Sequence, residues 1–212
     1  MDLAISEFNK SKTKTTLPQM STISPLITTF LATTVAACPD LTKYRSSNVL
    51  KSFEPSRMTG LWYESAFIDI AQVGATCQTL NTTYNETSGR MTMPFAVKYG
   101  PIPFTIVELY DPQNEKGMYL KHVNMPGGKL LQLNTVIVDA TAKDDTSPYD
   151  TVTMISCVSV GISVNEVIFA QRVPLDETNL PTLRTMETVA RGLGASWDEK
   201  SLKLVNRTKE KC

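Results

Sequence analysis

The chain has 212 residues, 42% of them hydrophobic and 20% charged, which suffices for the core of one ordinary domain or two small ones and argues against wholesale disorder. Lysine plus arginine equals aspartate plus glutamate at 21 each, so the formal net charge is zero. That balance excludes the basic footprint of a nucleic-acid binder and leaves no strong attraction to anionic membranes.

At the N-terminus, Lys10, Lys12 and Lys14 precede a charge-free run from Leu17 to Ala37 that holds Ile23, Leu26, Ile27, Phe30, Leu31 and Val35. A basic lead, an apolar stretch and the small residues Val35-Ala36-Ala37 predict a cleaved secretory signal over 1–37 and a mature chain over 38–212, with Met20 as an alternative start. Pro25 and the threonines make the run too weakly apolar for a permanent span. A second reading takes Val35-Ala36-Ala37-Cys38 as a lipoprotein processing site, with a lipid anchor on Cys38.

Cys38, Cys77, Cys157 and Cys212 all survive such a cleavage. They are widely spaced and His122 is the lone histidine, so no metal site is expected, and no motif calls for a cofactor. Two disulfides are the natural reading in an oxidising compartment, with three pairings open. Asn81, Asn85 and Asn206 each begin an Asn-x-Thr tripeptide and are candidate glycosylation sites. If Leu80 and Tyr84 point inward from a strand, Asn81 and Asn85 point out on the side of Cys77.

From there, short strand-like runs alternate with turn chemistry: 61–67, 77–84, 90–98, 104–110, 117–123, 130–139, 151–158 and 164–172. The intervening 86–89, 100–103, 111–114 and 126–128 are rich in Gly, Pro, Asn and Ser, as turns require. Met91, Met93, Phe95 and Val97 fall on one face of their strand, and Leu131, Leu133, Thr135 and Ile137 on one face of theirs. Leu183, Met186, Val189, Ala190 and Leu193 recur at helical spacing, with Asn179 and Pro181 marking a start and Gly192 or Gly194 a stop. A final short strand is expected over 201–205. Eight strands, a helix and a strand suggest a barrel with one helix packed outside.

Several motifs in this order resemble the lipocalin family, closest to its apolipoprotein D and bacterial-lipocalin branch. Gly60-Leu61-Trp62-Tyr63-Glu64 resembles the Gly-x-Trp signature of the first strand. Cys38-Pro39 precedes it, Cys77 begins the second strand with Asn81 four residues on, and Ser156-Cys157 ends the seventh. Ile168-Phe169-Ala170-Gln171-Arg172 resembles the eighth strand with the family's arginine, Pro174 and Leu180-Pro181 resemble the lead into the helix, and Cys212 closes the match over about 38–212.

The resemblance implies an all-β fold, an eight-stranded antiparallel up-and-down β-barrel with one C-terminal α-helix packed outside. It implies disulfides Cys38–Cys157 and Cys77–Cys212, Trp62 closing the narrow end under Arg172, and Gly60 giving the backbone room there, all structural roles. The family's Thr-Asp-Tyr-like motif between the sixth and seventh strands is absent from 139–150, where Asp139 takes the aspartate's place in a longer loop.

The function expected is that of an extracellular carrier, a monomer, whose barrel holds one small hydrophobic ligand of the fatty acid, sterol, retinoid or pigment class. Strand parity places Met91, Met93, Phe95 and Val97 inside, with Phe104 and Ile106, Met118 and Leu120, Leu131 and Leu133, and Val152 and Met154; His122 shares the face of Met118 and Leu120. Tyr99 and Tyr110 are expected near the open mouth. Weak association with membranes or lipid particles is compatible with this role, and no catalytic residue is expected. Two alternatives remain: an enzyme acting on a lipidic substrate in the manner of violaxanthin de-epoxidase, for which Glu64 and Glu108 are the strand carboxylates of suitable parity, and an interaction module that binds through the loops of the barrel mouth.

Overall fold

The computed structural model describes residues 38–160, 162–208 and 212, without the side chains of 159, 160 and 162–164; the expected leader over 1–37 lies outside the described residues. Eight strands run in order: β1 (Gly60–Ile68), β2 (Ala75–Tyr84), β3 (Met91–Tyr99), β4 (Ile102–Pro112), β5 (Met118–Val123), β6 (Leu133–Thr141), β7 (Thr151–Val160) and β8 (Ile162–Gln171). Each pairs antiparallel with the next, and β8 returns to β1 from Tyr63↔Gln171 to Ile68↔Val167, so the sheet closes on itself. Closure satisfies the backbone hydrogen bonds that an open sheet would leave at its edges.

The wall is irregular in one place. β1 pairs with β2 only from Gly60 to Tyr63, after which a short strand β9 (Lys203–Leu204) takes over that edge opposite Ala66 and Phe67. The divergence coincides with register shifts at Glu64–Ala66 in β1 and Thr76–Thr79 in β2, where Cys77 adopts a left-handed φ of 66°.

Alternation along the strands sorts side chains into two cores. β3 shows it most clearly: Met91, Met93, Phe95 and Val97 are buried, whereas Thr92, Pro94, Ala96 and Lys98 are half-exposed. Inside the barrel these residues pack with Trp62, Leu80, Tyr110, Ile137, Val152 and Met154. The second core lies outside, where helix α2 (Leu180–Gly192) sets Leu183, Met186 and Ala190 against Val136, Val138, Ile155 and Phe169. Burial of each such side chain contributes roughly 1.5–3 kcal/mol before entropy is counted. Pro181 in the first turn of α2 and the end at Gly192 match the expected signals.

The narrow end is plugged by elements the sequence patterns did not announce. Ser46 caps a six-residue helix α1 (Ser47–Ser52) by accepting from Val49 N at 3.2 Å, and a 3-10 turn follows at Pro55–Met58. Val49, Phe53 and Met58 thereby enter the inner core. Trp62 Nε1 donates to the Met58 carbonyl at 2.7 Å, and Arg172 covers the indole with its guanidinium carbon 3.7 Å from the ring centroid. Gly60 sits at φ +111°, which favours glycine, and a Cβ there would crowd Arg172 Nη1 at 3.1 Å.

The 142–150 connection, where the family motif is absent, is anchored by Tyr149. Its ring stacks on Phe53 at 5.6 Å and lies under Arg57, and its carbonyl accepts from Arg172 Nε at 2.7 Å. Cys38–Cys157 fastens the segment before the barrel to β7, and Cys77–Cys212 fastens the C-terminal tail to β2, the pairings implied by the resemblance.

Candidate ligand cavity at the wide end

The strand directions put the β1–β2, β3–β4 and β5–β6 connections at the end opposite Trp62, and a cavity of about 470 Å³ opens among them. That volume falls in the range of small-molecule sites. Its walls are apolar: Phe95 from β3, Phe104 and Ile106 from β4, Met125 and Leu131 from the β5–β6 connection, and Leu133 from β6. A 3-10 turn (Ile70–Gln72), capped by Asp69 accepting from Ala71 N at 2.8 Å, folds over the mouth. Tyr99 pins it there by donating its hydroxyl to the Ala71 carbonyl at 2.7 Å.

Beneath the apolar walls lies a charged cluster. Lys121 of β5 donates to Glu108 Oε1 at 3.3 Å and also to Glu166 of β8, and all three line the cavity. Glu108 Oε2 accepts the Tyr110 hydroxyl at 2.8 Å. Burial pulls the Lys121 ammonium towards neutrality, but the two carboxylates prevail and hold its pKa well above the usual lysine value. Glu108 is raised by burial despite that ammonium. Glu64, fully buried, is held well above the ordinary carboxyl range by burial and then by the charge of Glu108, with Gln72 Nε2 donating to its Oε1 at 3.4 Å. Glu64 Oε2, Gln72 Oε1 and both polar atoms of Gln78 are buried without a hydrogen-bond partner among the described residues.

The thirteen side chains expected in the cavity divide by height and by face. Phe95, Phe104, Ile106, Leu131 and Leu133 line it. Met91, Met93, Val152 and Met154 do point inward, but they fill the barrel below the cavity as close-packed core, and Val97 is buried in the same core at the height of its β4 partner Phe104. Met118 and Leu120 are corrections: Met118 packs in the outer core under α2, and Leu120 lies in register between Asp111 and Asn134 on the outer face. The inward residues of β5 are Tyr119 and Lys121. His122 follows the outer register opposite Leu109, its Nδ1 3.7 Å from Asp111 Oδ2, and reaches the cavity only at its rim. Tyr110 is likewise not at the mouth but buried in the inner core.

The expected strand start at Leu130 also moves. Gly127 at φ +79° leads a 3-10 turn (Gly128–Leu130), and a Cβ on Gly128 would collide with the Val123 carbonyl, so the chain folds tightly across the mouth before β6 begins. Lys121 and Glu166 were not among the residues singled out in the sequence; a lysine amid Tyr and Leu in a strand becomes meaningful only beside its two carboxylates. Asn81, Asn85 and Asn206 are all exposed. Among the described residues, no group of three or more His, Cys, Asp and Glu is placed to hold a metal ion, and no helix is long and apolar enough to cross a membrane.

No protein-family model matches the sequence, and no curated protein matches it. Solved structures do. Insecticyanin from the tobacco hornworm Manduca sexta superposes with a TM-score of 0.60 at 12% identity, covering 84% of this chain and 90% of that one. Lobster apocrustacyanin A1 gives 0.53 at 12% identity over 72% and 79%. The siderocalin Ex-FABP, described as functioning through dual ligand specificities, gives 0.51 at 10% identity over 72% and 96%. A closed eight-stranded antiparallel barrel, a helix outside it and these three superpositions together give the chain the lipocalin fold.

Proposed function

We propose that this protein is a member of the lipocalin family, a secreted carrier that binds one small hydrophobic molecule at the wide end of its barrel. The observation that carries the reading is the cavity of about 470 Å³, walled by Phe95, Phe104, Ile106, Leu131 and Leu133 and closed below by packed core. Two disulfides suit an oxidising compartment, and the exposed Asn81, Asn85 and Asn206 suit glycosylation on the way there. The role is one of binding by a single chain; Glu64, which an enzymatic reading would pair with Glu108, does not line the cavity.

The mouth also supports weak association with a lipid surface. Ile70 and Val73 in the β1–β2 connection, Ile102 at the start of β4, and Met125 and Leu130 in the β5–β6 connection are exposed around the opening, Leu130 at 88% and Ile70 at 79%. A ligand drawn from a lipid particle would pass this rim.

Native mass spectrometry of the non-reduced protein, followed by organic extraction, tests the carrier role. One small apolar molecule per chain is the expected result. A protein that carries nothing, and takes up no added amphiphile, leaves the mouth loops as a protein-binding surface instead.

A further inference from the structure

We infer that the cavity selects a ligand whose polar end is cationic, an amine on an apolar body, and turns carboxylates away. The inference rests on the carrier reading of the same cavity and adds the charge of the ligand's head.

Among the described residues, Lys121 is the one lysine or arginine that lines the cavity, against the carboxylates Asp69, Glu108 and Glu166. Its ammonium is already committed: it donates to Glu108 and to Glu166, with its side chain 5% exposed. A fatty-acid carboxylate entering the site would have to take Lys121 from one of these partners, leaving a buried glutamate without its counter-charge, which is strongly unfavourable. The familiar use of a buried lysine as a carboxylate anchor is therefore closed.

The negative side has a surplus. Glu108 is occupied on both oxygens, by Lys121 and by the Tyr110 hydroxyl. Glu166 shares Lys121 with it, and Asp69 has no ammonium partner among the described residues. Burial, and then the charge of Glu166, hold the Asp69 carboxyl above its ordinary range, as expected where two carboxylates share a confined space with too little positive charge.

The neutral groups point the same way. Gln72 lines the cavity, is 2% exposed, and gives its amide nitrogen to Glu64 Oε1; its carbonyl Oε1 is buried with no donor among the described residues. A buried acceptor lacking a donor and a surplus of carboxylate call for one kind of group, a cation that donates hydrogen bonds and accepts none. An alkylammonium is such a group. The aromatic pair Tyr99 and Phe104, edge to face at 6.4 Å, stands at the opening through which it would pass.

The test is a series with matched chains. Binding of decylamine, decanol and decanoic acid to the disulfide-bonded protein is measured by isothermal titration calorimetry at neutral pH, below the concentrations at which they aggregate. Decylamine is expected to bind at least about tenfold tighter than decanoic acid, with decanol between them. Glu166→Gln and, as a second variant away from the Lys121 pair, Asp69→Asn should each reduce the amine's advantage over decanol, both measured on the same variant, by about threefold or more. Decanoic acid binding as tightly as decylamine, or an advantage unmoved in both variants, overturns the inference while the carrier reading stands. If none of the three binds and no apolar molecule co-purifies, the carrier reading falls and takes the inference with it.

Discussion

The guanidinium of Arg172 lies 3.7 Å from the centroid of the Trp62 ring and at the same time donates to the carbonyls of Leu61 and Thr59, 3.0 Å away in each case. One side chain thus stacks on the tryptophan and binds the backbone on either side of the start of β1. A lysine keeps the charge and loses the planar fork that serves both contacts. Arg172→Lys is expected to lower stability by about 2 kcal/mol in urea unfolding, with affinity for the carried ligand within about twofold of the parent because the cavity is at the other end of the barrel. A tenfold loss of affinity would show that the two ends are not independent.

Glu64 gives a pH dependence whose sign follows from its burial. Its carboxyl is held neutral in the fold well above its ordinary value near 4.5, so its contribution is full below that value and is lost as the pH rises towards its folded-state pKa. Glu64→Gln keeps a neutral amide at every pH. The melting temperature of the variant relative to the parent should be close to zero at about pH 4 and higher by at least about 3 °C at about pH 8. A difference that does not grow with pH would mean that Glu64 is ionised in the fold.

Met93 and Phe104 separate core from cavity. Met93 is buried below the cavity, and Met93→Ala should cost about 2–5 kcal/mol of stability with little change in ligand affinity. Phe104 is half-exposed at the cavity wall. Phe104→Ala should leave stability within about 1 kcal/mol of the parent and weaken binding several-fold. Titration and unfolding of both variants would reveal the crossed pattern, and its reversal would put the ligand deeper in the barrel.

Cys77–Cys212 holds the tail against β2 while β9 holds it against β1. The double variant Cys77→Ser/Cys212→Ser is expected to lose about 2–5 kcal/mol. Hydrogen exchange should show the loss of protection concentrated at 203–207, with β6 and β7 keeping theirs.

How much of this was legible in the sequence varied by strand. β3 was read correctly because its alternation is unbroken and one face is wholly apolar. β5 was read with its faces exchanged: Met118 and Leu120 are its most apolar residues, but Met118 is buried in the outer core and Leu120 is half-exposed on the same side, while its inner face carries Lys121. Polarity reports the inside only where the outside meets water, and at Met118 it does not. The division of the inward set into filled base and open mouth was equally hidden, since alternation gives a side chain's face and says nothing of how α1, Trp62 and Tyr149 fill the narrow end from below.

The edge of β1 that passes from β2 to β9 sets an order of events. The first strand of the barrel finds one neighbour about twenty residues on, another about a hundred residues on at β8, and the last at Lys203–Leu204. During synthesis β1 therefore waits, with its far half unpaired on both sides, until β8 and then the tail emerge. Contacts so distant along the chain are slow to form because the loop must be closed before the contact repays it. Sealing of the wall is a late step, because the segment that completes it follows all eight barrel strands in the chain.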